Sequence, residues 1–167
     1  MAYALRKGIM NGMGDGFFGP NIPTSRAMIV TMLYRMEKEP AVTGALSFRD
    51  VPGGQWYTDA IRWATANGIV NGYSDTAFGP NDNVSREQLA TILYRYARYK
   101  GVVPGAGADL SGFTDAEAVS DWAEDALRWT VSKGIINGMG DGLLSPGTEA
   151  VRAQVATMLM RYDAIGQ

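Results

Sequence analysis

The chain has 167 residues and a mass of 18.0 kDa, a size at which roughly 70% of the unfolded surface is buried, so one compact domain is expected. Its 15 Lys and Arg against 17 Asp and Glu leave a net charge of −2, which supplies no basic field for nucleic acid. Cys and His are both absent, and with them go disulfides, thiolate nucleophiles, His-based triads and the usual zinc sites.

From the N-terminus, Arg6 and Lys7 lead into Gly8 and Asn11 rather than into an apolar run, so no signal peptide opens the chain. Either the chain is cytoplasmic or a leader has been cut away. The longest nearly apolar run, Ala27 to Tyr34, is far shorter than the roughly 20 residues that span a membrane. Membrane insertion is not expected.

The chain then repeats itself. Segments 8–36, 68–96 and 134–162 align without a gap at offsets of 60 and 66, which sets the architecture before any other reading. Ten positions hold one residue in all three copies: Gly8, Ile9, Asn11, Gly12, Asp15, Pro20, Arg26, Thr31, Leu33 and Arg35, with their counterparts. The second and third copies carry upstream segments that begin at Phe48 and Phe113 and pair Trp56 with Trp122. The first copy starts at Ala2-Tyr3-Ala4 without one, so Met1 reads as a cut inside a repeat. The expected boundaries are 1–40 (incomplete), 46–100 and 111–166 within one domain, 1–167.

Each copy reads as a helix, a glycine stop, a short hairpin-like loop and a longer helix. In the second copy the first helix runs from near Thr58 to Asn67, and Gly68 takes the left-handed position past its end. Asn71-Gly72 with Asp75, and Asn137-Gly138 with Asp141-Gly142, are turn formers. Pro20, Pro80 and Pro146 close the loops. Ser85 and Gln88 form a capping box, Ser25 caps alone, and Val151 leaves the third long helix to be satisfied by Thr148 or a partner.

The long helices carry Ile29, Met32, Leu33 and Met36, then Leu89, Ile92, Leu93 and Tyr96, then Val155, Met158, Leu159 and Tyr162, each set at i, i+3, i+4, i+7. One such stripe cannot bury itself, but three can bury one another. The expected fold is mainly α, a pseudo-threefold arrangement of three helix-loop-helix repeats around a central three-helix bundle. Tyr3, Trp63 and Trp129 would cover the bundle or line the seams. Residues 100–111, rich in Gly and Ala with Pro104, would form a flexible crossover.

The residues Phe48, Asp50, Val51 and Trp56, Ala60-Ile61, Gly68-Ile69-Val70-Asn71-Gly72, Phe78-Gly79-Pro80 and Val84-Ser85-Arg86-Glu87 together resemble a triplet of S-layer homology repeats. The Thr-Arg-Ala-Glu motif of that family has its counterparts at Ser25 to Met28, Ser85 to Gln88 and Val151 to Gln154, where the arginine is kept and the acidic fourth residue is not. The resemblance implies non-covalent attachment at the bacterial cell surface, through an acidic, pyruvylated secondary cell-wall polysaccharide held in grooves between repeats. No cofactor, metal or catalytic residue is implied.

On this reading Arg26, Arg86 and Arg152 lie in a helix first turn, where free amides and the helix dipole already favour an anion, and a guanidinium there grips a carboxylate bidentately. Gly12, Gly72 and Gly138 would let backbone amides approach sugar hydroxyls, with Tyr73, Trp63, Trp129 and Tyr3 as ring platforms. The bland alternatives stand beside these. The arginines pin loop to helix through carboxylates, the aromatics are core, and the glycines serve turns. Arg35, Arg95 and Arg161 are read as structural. Arg86→Ala is expected to weaken wall binding and leave thermal stability nearly unchanged.

Two other classes can be weighed. Calcium is a poor fit to loops with one carboxylate each, and a glycosidase pair needs two unlike carboxylate environments, so the chain is not expected to be an enzyme. The alternative to glycan binding is protein–protein interaction or self-assembly, with a dimer formed through the seam of the incomplete first repeat.

Overall fold

The computed structural model describes residues 2–102 and 105–165; the expectations attached to Met1, Pro104 and Gly166 lie outside them. The described residues are mainly α, with six α-helices: α1 (Ala2–Arg6), α2 (Arg26–Met36), α3 (Thr58–Ala66), α4 (Arg86–Tyr99), α5 (Glu124–Ser132) and α6 (Arg152–Ile165). Among them no strand forms, and extended pairing is limited to isolated bridges.

Each short helix ends as its sequence dictates. Gly8, Gly68 and Gly134 have φ of 67°, 66° and 64°, the left-handed stop that returns the chain so that the amides of Ile9, Ile69 and Ile135 bond back to the carbonyls of Ala4, Ala64 and Thr130. A tight hairpin follows in every copy, closed by Met13, Tyr73 and Met139 N–H donating to the carbonyls of Phe17, Ala77 and Leu143. Asp50 and Asp115 secure the two later hairpins. The Asp50 carboxylate accepts the amides of Phe78 and Gly79, and that of Asp115 those of Leu144 and Ser145.

The apolar stripes of α2, α4 and α6 are buried except at the half-buried Met36 and Tyr162, with Ile29, Leu33, Leu89, Leu93 and Leu159 fully inaccessible. Their closest helical partners are the short helices of the following repeat: α2 packs on α3, α4 on α5, and α6 on α1. Tyr34 of α2 meets Trp63 of α3 at 5.6 Å between ring centroids, and Tyr94 of α4 meets Trp129 of α5 at 5.7 Å. The long helices reach one another through side chains near their C-terminal ends, where the Tyr96 and Tyr162 rings lie 5.2 Å apart and the Tyr96 hydroxyl donates to Glu37.

The N-terminal ends of the long helices also dock on the next repeat. The first amides of α2 (Arg26, Ala27) donate to the carbonyls of Asp82 and Pro80, those of α4 (Arg86, Glu87) to Thr148 and Pro146, and those of α6 (Arg152, Ala153) to Ile22 and Pro20. Ser25↔Asn83, Ser85↔Glu149 and Pro23↔Val151 bridge alongside. The three contacts are alike and the third returns to the first repeat, so the repeats close a ring of contacts.

This geometry corrects two expectations. The start of α6 is satisfied neither by Thr148 nor by a partner: Gln154 accepts the Val151 amide, and the next two amides go to the first repeat. The stretch before the third repeat is not free along its length, because Ala108 N–H donates to Arg128 O, Leu110 is buried and Gly107 lies so close to Arg128 that a Cβ there would clash.

Candidate functional site

Arg26, Arg86 and Arg152 are only 7%, 2% and 3% exposed. Each reaches into the hairpin of the following repeat and spans two carbonyls. Nε and Nη2 of Arg26 donate to Phe78 O (2.9 Å) and Asn71 O (2.7 Å). Those of Arg86 donate to Leu144 O (2.9 Å) and Asn137 O (2.8 Å), and those of Arg152 to Phe18 O (2.9 Å) and Asn11 O (2.6 Å). The Arg26 guanidinium is further held between rings, 4.4 Å from the centroid of Tyr73 and 4.5 Å from that of Phe78. Burial lowers the pKa of Arg86, and the nearby Asp115 charge pulls it back up.

The sequence reading is corrected here in four respects. The first-turn amides of the long helices are not free to meet an anion, since carbonyls of the neighbouring repeat occupy them. The arginines are fasteners between repeats, and they hold backbone carbonyls rather than carboxylates. Trp63 and Trp129, each 2% exposed, lie in the seams and offer no ring face to the hairpin grooves. Gly72 and Gly138 are required by their own repeat: a Cβ on Gly72 would stand 2.5 Å from Phe48 and from Ser74 O, and one on Gly138 3.0 Å from Leu143 O. Gly12 has only Phe17 O nearby, at 3.3 Å.

The fastening nonetheless builds grooves. One, of about 310 Å³, lies between the first hairpin and the outer face of α2 and is lined by Arg152, Asn11, Gly12, Met28, Arg35 and Trp56. A second, of about 390 Å³, lies between the third hairpin and α6 and is lined by Arg86, Asn137, Gly138, Gln154 and Arg161. Repeat equivalence puts Arg26, Asn71, Gly72, Tyr73 and Arg95 in corresponding positions, and Tyr73 is 55% exposed. Each described groove therefore holds two arginines, and neither lining contains an acidic residue among the described residues.

The second arginine of each pair is the one that sequence reasoning set aside. Arg35 lies nine residues beyond Arg26, two and a half helical turns, so the two leave opposite sides of α2. Arg35 makes a 3.4 Å bond to Ile9 O and a 3.6 Å contact with Glu39, and Arg161 a 3.3 Å bond to Ile135 O; these longer contacts leave donors open to the grooves. The recurrence of both arginines was the available signal. Trp56 and Trp122, 59% and 57% exposed, are the two tryptophans that stand in solvent, and Trp56 lines the first groove.

A family model described as S-layer homology domain matches residues 1–27, 47–90 and 112–156. A surface-layer 125 kDa protein of Lysinibacillus sphaericus is 34% identical over 157 residues, 92% of this chain and 13% of that protein. An amylopullulanase of Thermoanaerobacterium thermosulfurigenes is 32% identical over 155 residues, 90% of this chain and 8% of the enzyme. A cellulosome-anchoring protein of Acetivibrio thermocellus is 25% identical over 156 residues, 91% of this chain and 34% of that protein. The chain thus spans a small part of each relative.

Proposed function

This chain belongs to the S-layer homology domain family, and we propose that it attaches its parent protein non-covalently to the bacterial cell wall by binding an acidic, pyruvylated secondary cell-wall polysaccharide in the inter-repeat grooves. It acts as one domain, 1–167, of three repeats, 1–40, 46–100 and 111–166. The family is a binding module, and the match to an amylopullulanase covers only 8% of that enzyme, which fits an attachment segment kept apart from catalysis. No cofactor enters this reading. No helix among the described residues is long and apolar enough to cross a membrane.

The observation that carries the proposal is the pair of arginines in each groove with no carboxylate in the lining. Two cations on a lining that holds no carboxylate favour an anionic ligand, and a planar guanidinium matches a carboxylate fork. The buried member, Arg86 or Arg152, shapes the groove, and Arg161 or Arg35 meets the ketal carboxylate. Asn11, Gly12, Asn137 and Gly138 form the hairpin wall, and Trp56, Trp122 and Tyr73 supply ring faces. Grooves of modest affinity on a repeating polymer reinforce one another through effective concentration.

The test is co-sedimentation with purified cell-wall sacculi before and after the polysaccharide is chemically stripped. Binding lost on stripping and competed by a pyruvylated disaccharide, but not by the same sugar without its ketal, supports the proposal. Binding that survives stripping, or a stable dimer in light scattering with no affinity for sacculi, overturns it in favour of a protein-interaction module.

A further inference from the structure

A cavity of about 630 Å³ lies away from the hairpins, where the C-terminal ends of α2, α4 and α6 converge beside α1. Its volume falls within the range of small-molecule sites. Aromatic side chains form much of its wall: Tyr3, Tyr96, Trp129 and Tyr162.

The charges around it are largely spent on one another. Lys100 Nζ holds both Glu37 oxygens at 2.8 and 3.0 Å, Lys7 lies 3.8 Å from Asp163, and Arg35 contacts Glu39; Lys38 stands at the exposed rim. Such pairs retain spare lone pairs and N–H groups for hydroxyls while presenting little net charge. One lining residue carries a buried polar atom with no hydrogen-bond partner among the described residues, the Trp129 indole Nε1, whereas the Tyr3 hydroxyl lies beside Asp163. A buried donor without an acceptor is unfavourable, and a ligand oxygen would relieve it. Trp63, the counterpart of Trp129, is covered by Tyr34, Tyr96 and Tyr99, whereas Trp129 pairs among the described residues with Tyr94 alone and borders the cavity.

We infer that this cavity binds a neutral saccharide, its ring packed on the half-buried Tyr3 and Tyr162 and a hydroxyl accepting from Trp129. Apolar ring faces, paired charges and an unsatisfied donor together suit a polyhydroxylated ring, and the largely paired charges disfavour an ionic one. The site is separate from the grooves in its residues, Arg35 and Ile9 excepted, and in the charge of its ligand, so either can fail without the other.

The chain has four tryptophans, so four indole N–H signals report in a nitrogen-15 correlation spectrum of the full chain. Titration with cellobiose, maltose and N,N′-diacetylchitobiose is expected to shift the Trp129 signal, assigned by Trp129→Phe, saturably at millimolar sugar with at least one of the three. Tyr162→Ala, at a half-buried position, is expected to weaken that binding about 10-fold with the other three signals in place, and Arg161→Ala in a groove to leave it unchanged. No movement of the Trp129 signal with any of the three sugars, or a shift confined to Trp56 and Trp122, overturns the inference. So does an unaltered titration of folded Tyr162→Ala.

Discussion

Arg86 donates Nη2 to the carbonyl of Asn137, 51 residues away, at 2.8 Å. With the Nε bond to Leu144 O, one side chain clamps both legs of the next repeat's hairpin. Arg86→Ala is therefore predicted to cost about 3 kcal/mol of stability, since two carbonyls lose their donor inside the fold. Arg86→Lys should recover little, because an ammonium cannot reproduce the planar fork. Chemical denaturation measures both, and an unmoved midpoint would rule the clamp out. This reverses the expectation of near-unchanged stability drawn from sequence.

Acid should loosen the second and third hairpins. For Asp115 the Leu144 amide is the main influence lowering its pKa, against the opposing effect of burial and with help from Ser145 and Arg86. For Asp50 burial pushes upward and is outweighed by the amides of Gly79 and Phe78 and by Arg26. A depressed folded pKa stabilises above the ordinary carboxylate value and is lost as pH falls through the lower one. The unfolding midpoint is predicted to decline from about pH 5 downward, and Asp115→Asn to flatten that decline while lowering stability at neutral pH. Identical profiles for the two proteins would refute this.

The glycines of the hairpins should differ in tolerance. Gly72→Ala drives a Cβ into Phe48 and two backbone oxygens, an overpacking that costs about 1–3 kcal/mol. Gly12→Ala meets a single oxygen at 3.3 Å and is predicted to cost clearly less. Equal melting temperatures for the two variants would show that the clash at Gly72 is relaxed away.

Trp56 and Arg161 separate binding from folding. Trp56→Ala, at 59% exposure, is predicted to change stability by no more than about 0.5 kcal/mol and to weaken sedimentation with sacculi measurably. Arg161→Ala should do likewise. Retained wall affinity in both variants would remove these side chains from the site.

What the sequence made legible follows from how local each feature is. The gapless alignment located all six helices, because stripe, cap and glycine stop are written within a few residues of each other. Gly68 and the Ser85–Gln88 box needed no knowledge of distant chain. The roles of the arginines were hidden for the opposite reason: whether Arg86 faces solvent or the carbonyl of Asn137 depends on a contact across repeats that no local pattern encodes. Trp63 and Trp56 show the same limit. Both are tryptophans of one repeat, and only the packing of α3 on α2 makes the first core and leaves the second in water.

Because the docking of α6 on Pro20 and Ile22 matches that of α2 and α4 on their successors, none of the three repeats serves as a terminus. An open stack can peel from either end, one unit at a time. Here, detaching any unit breaks two joints at once, so a pull on either end of the chain meets a clasp that yields as a whole or holds.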